Sequence, residues 1–298
     1  MSDYIVRALS SDGGVRAFAA VTTDMVNQAH KIHQTNPIAS AALGRTLTAA
    51  AMMSTMFKGE KDTLTIQIKG DGPLRGVVAV ADANASVKGY VYQPQVELPL
   101  KPNGKLDVSG AIGKGSITVI RDLGLKEPYV GHVPLATGEI AEDLTLYYAR
   151  SEQIPSAVAL GVLVDVDLSI KASGGFIIQL MPEADDKAAD KIEQVISQIS
   201  PVTTMISEGM RPEDILDTLL KDFEWNITDR IETRYQCDCS RHRIERALIS
   251  LGKKELEDII SEQGQAELTC HFCNEIYHFD KEQLVELLSK SQGAQNVE

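Results

Sequence analysis

The sequence predicts an α+β chain in three parts: an N-terminal mixed α/β core domain over residues 1–181, a helical linker over 182–229, and a small C-terminal module over 230–298. Three observations predict this order. In the first part, short stretches of alternating apolar residues are punctuated by Gly- and Pro-containing turns. In the second, apolar residues recur at helical spacing. In the third lie all four cysteines of the 298-residue chain.

Taken in order, Tyr4–Leu9 and Val15–Ala19 flank a Ser-Asp-Gly-Gly turn and predict an opening hairpin. After Asn36-Pro37, the segment 38–57 is crowded with Ala, Ser, Thr and Met, small residues that let a helix approach its neighbours closely, so a buried helix is expected. Leu64–Ile68 alternates with period two, Gly70-Asp71-Gly72-Pro73 is a turn, and Val77–Val80 continues as a strand. Further strands are predicted at Ser116–Ile120 and Phe176–Leu180, with helical spacing over Ile140–Tyr148 between them. Hairpin signals outnumber strand-helix-strand repeats, which points to an antiparallel or mixed sheet.

The pattern changes at Met181-Pro182. Ala188, Ile192, Val195, Ile196 and Ile199 form one apolar stripe; a second helix starts at Pro212 and carries Ile215, Leu216, Leu219, Leu220 and Phe223. The last module ends in a helix-like segment from Lys281, followed by a polar tail.

Composition limits the function classes. A hydrophobic fraction of 43% suffices for a real core. Twenty-nine basic against 42 acidic side chains give a net charge of −13, which opposes the phosphate attraction behind most nucleic-acid binding. The N-terminus lacks an apolar stretch of signal-peptide length and no run of 18 apolar residues occurs, so a soluble, cytoplasmic protein without membrane association is expected. In a reducing compartment the thiols stay reduced or metal-bound.

Most motifs fail. Gly70-x-Gly72-x-x-x-Gly76 has one residue too many for a dinucleotide fingerprint, and Gly113-Lys114 is followed by Gly115 where a phosphate loop needs Ser or Thr. His30 and His33 could share a helix face but lack a third ligand, and Met52, Met53 and Met56 read as core filling. No nucleophile with its base is nominated, so no enzyme is expected. A thioredoxin-like role for Cys270-His-Phe-Cys273 is discounted, because too little chain follows it for such a domain.

The pairs Cys237-Asp-Cys239 and Cys270-His-Phe-Cys273 hold. Four soft thiolates supply the complete ligand set of tetrahedral zinc with no open position, so one zinc ion is predicted to be held, not to hydrolyse anything. Two readings remain open at this point. The site could be a structural ribbon in a constitutive binder of RNA or of a protein partner. Alternatively, the single-residue spacing of Cys237 and Cys239, with Arg234, Arg241, Arg243 and Arg246 around them, could mark reactive thiolates.

The chain resembles the heat shock protein 33 family of redox-regulated chaperones nearly end to end. The resemblance is carried by the four cysteines in their spacing, and by Ala41–Ala50, Gly70–Leu74, Gly138–Asp143, Ser151–Ser156 and Gly174–Pro182. It implies an ATP-independent holdase, inactive when reduced and zinc-bound, that binds unfolding or oxidatively damaged client proteins under oxidative stress and is a homodimer when active. It further implies that Cys270 pairs with Cys273, that zinc leaves, and that Cys237 pairs with Cys239. A module of roughly 60 residues depends on such a metal for its fold. Its unfolding is then expected to uncover a client-binding face made of Ile192, Val195, Ile196, Ile199, Leu216, Leu219, Leu220 and Phe223; permanent burial of those residues against the first domain is the competing expectation.

Overall fold

A computed structural model describes residues 2–294; the end of the polar tail lies outside the described residues. The opening hairpin is β1 (Tyr4–Ser10) with β2 (Val15–Val21). Helices α1 (Thr23–His33) and α2 (Pro37–Ser54) follow, then β3 (Thr63–Gly70), β4 (Gly76–Asp82), β5 (Ser86–Val91), α3 (Val108–Ile112), β6 (Gly115–Asp122) and β7 (Tyr129–Pro134). Next come α4 (Ile140–Tyr147), a π-helical turn (Tyr148–Glu152), β8 (Ser156–Val164) and β9 (Ile170–Leu180). The linker contains α5 (Ala188–Ile196), α6 (Val202–Ser207) and α7 (Pro212–Leu219), and is followed by β10 (Trp225–Glu232) and β11 (Arg234–Tyr235). The chain continues through α8 (Arg241–Ser250), α9 (Lys253–Glu262), β12 (Ala266–Thr269), β13 (Ile276–Phe279) and α10 (Lys281–Ala294).

Two compact units result, one ending at Gln236 and the other starting at Cys237. Among the described residues, the larger unit holds two sheets where the sequence suggested one: β10-β1-β2-β9-β8, and β11-β5-β4-β3-β6-β7. Their pairings are antiparallel except for β11 on β5.

Helix α2 joins the sheets. It is buried on almost every side, with Leu43, Leu47 and Met52 packed together with Phe18 of β2, Ile66 of β3 and Ala79 of β4. A helix can be enclosed this way only if it is apolar all round and slim. A Cβ on Gly44 would lie 2.5 Å from a Val26 methyl and 2.7 Å from one of Val162. The helix's hydroxyls do not violate the rule, because Thr46 and Thr48 donate to the carbonyls of Ala42 and Gly44 (both 2.8 Å).

The opposite face of the first sheet is also buried. Val6, Ala8, Val15, Ala17, Phe176 and Ile178 point to the side away from α2 and meet α5, α6 and α7. Period-two alternation therefore serves two cores on either side of one sheet.

Residues 230–236 differ from the sequence reading, which put them in the C-terminal module. Here β10 pairs antiparallel with β1, and Tyr235 of β11 is buried, donating its hydroxyl to Gly89 O (2.8 Å). These are long-range pairings that no local pattern announces. His33 Nε2 meets the Tyr235 hydroxyl at 3.1 Å, and His30 Nδ1 meets Thr35 O at 3.1 Å, so both histidines tie the fold together. Among the described residues no helix is long and apolar enough to cross a membrane.

The start of α1 yields a pH prediction. Thr22 makes no side-chain cap; instead Asp3 accepts from the backbone N–H of Asp24 (3.2 Å) and Met25 (2.6 Å). Burial nevertheless pushes the Asp3 carboxyl up to about 6 from 3.8. The folded value exceeds the unfolded one, so this group's stabilisation is complete below pH ~4 and is lost as pH rises through about 6. The melting temperature of the wild type minus that of Asp3→Asn is expected to fall between about pH 4 and 7. A difference that stays flat across that range would refute the assignment.

Candidate metal centre

The second unit builds the site from a hairpin and a helix start. Strands β12 and β13 pair antiparallel from Ala266 opposite Phe279 to Thr269 opposite Ile276. Cys270 follows β12 directly, and the turn is closed by Cys270 N–H to Glu275 O (2.9 Å) and Asn274 N–H to Cys270 O (2.8 Å). Asn274 supplies the left-handed residue, φ +59°, that a turn this tight requires and that Asn tolerates. On the other side, Ser240 caps α8 by accepting from Arg243 N–H (3.3 Å), which fixes the segment carrying Cys237 and Cys239.

These elements converge the four sulfurs. Cys237 Sγ lies 3.7 Å from Cys270 Sγ, Cys239 Sγ lies 3.3 Å from Cys273 Sγ, and all four fall within 4.8 Å of one another. Zinc–sulfur bonds of about 2.3 Å at tetrahedral angles require sulfur–sulfur edges of about 3.8 Å, so the constellation fits a tetrathiolate metal ion. Cys270 is buried and the other three are half-buried; no disulfide joins them. Among the described residues the four cysteines make up the whole group of possible metal ligands.

The thiols are electrostatically unequal. Burial pushes Cys237 up to about 11 and also raises Cys273. Cys239 is lowered: burial would raise it, but the Tyr277 hydroxyl, donating at 3.2 Å, and the neighbouring thiols outweigh that effect. Without a cation Cys237 and Cys273 therefore hold their protons more tightly than a free thiol, because burial disfavours their charged forms.

Tyr277 is the residue that sequence reasoning missed. Its only signal is its place on a strand two residues from Phe279, and nothing local says that it faces a cysteine. The arginines take other roles. Arg241 lies 4.3 Å over the Phe279 ring and donates to His278 O (3.1 Å) and Gln283 Oε1 (2.8 Å), while Arg243 pairs with Asp238. These arginine contacts belong to the module's scaffold, whereas Tyr277 brings a side-chain hydroxyl to the Cys239 sulfur.

The module's own apolar core is small. Leu248, Leu256, Phe279, Leu284 and Leu287 are its buried members, ringed by partly buried Ile244, Ile259, Leu268 and others. The linker residues nominated as a client-binding face sit elsewhere, within the larger unit. Ile192, Val195, Leu216, Leu219 and Leu220 are buried, Ile196, Ile199 and Phe223 partly so, with the linker helices covering the first sheet.

The comparisons with known proteins agree with this arrangement. A family model described as "Hsp33 protein" matches residues 3–280. A 33 kDa chaperonin of Acetivibrio thermocellus is 54% identical over 288 residues, covering 97% of each chain. One from Agathobacter rectalis is 54% identical over 287 residues, covering 96% of this chain and all of that one. The crystal structure of the 33 kDa chaperonin (heat shock protein 33 homolog) from Thermotoga maritima superposes with a TM-score of 0.90 at 40% identity, over 98% of this chain and 100% of that one. With a match over nearly the whole chain in sequence and in fold, the chain belongs to the Hsp33 family of chaperones.

Proposed function

We propose that this chain is a redox-regulated, ATP-independent holdase, with Cys237, Cys239, Cys270 and Cys273 holding one zinc ion in the reduced, inactive state. The observation that carries this reading is a set of four sulfurs within 4.8 Å of one another in a module with only five buried apolar side chains in its core among its described residues. Zinc, when bound, supplies the cross-link that such a module lacks.

Oxidation reverses that support. A thiolate of the Cys270–Cys273 pair attacks a peroxide oxygen, giving a sulfenic acid and hydroxide; the neighbouring thiol displaces it, forming the disulfide and releasing water. A disulfide sulfur is a poor metal ligand, so Cys237 and Cys239 lose their partners, and a second equivalent of peroxide oxidises them to the second disulfide by the same two steps, releasing hydroxide and water. This within-pair assignment follows the family. The module then unfolds, and α5, α6 and α7 leave the first sheet, uncovering the eight linker residues from Ile192 to Phe223 for unfolding client proteins.

In this division residues 1–181 are the scaffold, 182–229 the cover and the unit from Cys237 onward the switch. The active form is a homodimer without enzymatic chemistry, and a switch that rests with its thiols reduced fits a cytoplasmic protein.

The test is treatment of zinc-loaded protein with peroxide at elevated temperature, recording zinc release and suppression of client aggregation together. Both are expected to rise in step. Activity before treatment would instead indicate a constitutive zinc-ribbon binder of RNA or protein.

A further inference from the structure

Between the two sheets of the larger unit lies a cavity of about 220 Å³ with no role in the thiol chemistry. One wall is apolar, formed by Met53, Met56, Phe57 and Leu64. The other carries Arg16 of β2 and Arg121 of β6, so each sheet contributes one guanidinium.

The two cations are not equally neutralised. Arg121 pairs with Glu152, which also accepts from the Tyr147 hydroxyl (2.5 Å); the Nε of Arg121 is buried and has no hydrogen-bond partner. Arg16 donates twice to one neutral acceptor, Gln179 Oε1 (3.2 and 2.7 Å), so a dipole and not a charge answers it. Burial and the nearby charge of Arg7 lower the pKa of Arg16, consistent with a cation short of anionic company. With Glu152 as the one acidic residue lining the cavity, two positive charges face one negative charge.

The backbone is shaped around this place. The chain leaves α4 through a π-helical turn, Tyr148–Glu152, whose extra residue per turn puts Tyr147 and Glu152, five residues apart, within hydrogen-bond reach of each other. Such turns are rare and concentrate at functional sites. Apolar walls with a few convergent polar groups are the usual form of a small-molecule site.

We propose that this cavity binds a small amphipathic carboxylate, its head group on Arg16 and its short apolar body against Met53, Met56 and Phe57. The head group supplies the charge that Arg16 lacks, through charge-assisted hydrogen bonds. Glu152 and Tyr147 hold Arg121 in place.

The test uses full-length, reduced, zinc-loaded protein with hexanoate and its neutral counterpart hexanamide, titrated by calorimetry or ligand-observed NMR. Hexanoate is expected to saturate, with hexanamide on the order of tenfold weaker. Arg16→Gln is expected to weaken hexanoate about tenfold while leaving hexanamide unchanged, and Arg16→Lys to recover part of the loss. Equal binding of the two probes, absence of saturation, or an unaltered hexanoate affinity in a folded Arg16→Gln protein would overturn the proposal. If Arg16→Gln does not fold, the comparison of the two probes on the wild type decides it.

Discussion

Removing the metal from the reduced protein with a strong chelator is expected to melt residues from Cys237 onward while the larger unit stays folded. Structural zinc contributes on the order of 10 kcal/mol to small modules, a quantity comparable to the entire stability of an ordinary domain, about 5–15 kcal/mol. Among its described residues the module has little with which to replace it: five buried apolar side chains and a two-stranded hairpin. The larger unit, by contrast, packs both faces of its first sheet and encloses α2 between its sheets. Hydrogen exchange measured before and after chelation should show protection lost in β12, β13 and α10 and retained in β1, β2 and α2. Cys273→Ser should mimic chelation. Retained protection in β12 and β13 after complete metal removal would contradict the metal's structural role.

The same chemistry sets the pH dependence of metal binding. The ligands must be thiolates, whereas in the metal-free cluster burial holds Cys237 near 11 and raises Cys273. Binding therefore expels protons, and affinity falls as the solution is acidified.

Leu216→Ala is expected to weaken the docking of α7 and to give the reduced protein partial holdase activity. Leu216 is fully buried against the first sheet, and truncating such a leucine costs about 2–5 kcal/mol, including the cavity left behind. If the uncovered face binds clients, a shift of that size raises the undocked population from negligible to measurable without any oxidation. Two readouts are needed: faster hydrogen exchange in α5 and α7, and slower aggregation of a thermally unfolding client. Faster exchange with no protection of the client would exclude this face as the client-binding surface. Leu216→Met, which nearly conserves volume, should behave as wild type.

Much of this was legible in the linear chain. The hairpin of β1 and β2, the buried nature of α2, the strands β3, β4, β6 and β9, and the amphipathic helices α5 and α7 each follow from periodicity and turn residues within a dozen positions. The cluster of four cysteines was legible because cysteine is scarce here and its spacing is chemically specific. What failed were features that depend on distant partners. The short α6 and the strand β10 carry weak local patterns; β10 exists because β1 offers an edge to pair with. The C-terminal boundary moved to Cys237 for the same reason.

By itself, then, the amino-acid order determined the types of such elements as β1, β2, α2, β3, β4, β6, β9, α5 and α7 and the grouping of four cysteines, because both depend on residue chemistry at short range. Only the tertiary structure decided that one sheet is two, that the linker stripe lies on Val6, Ala17 and Phe176, that Tyr277 reaches Cys239, and that Arg16 and Arg121 share a cavity. Each of these is a meeting of residues from separate elements. Such meetings are fixed by the packing of apolar faces as a whole, a property that no local window of sequence contains.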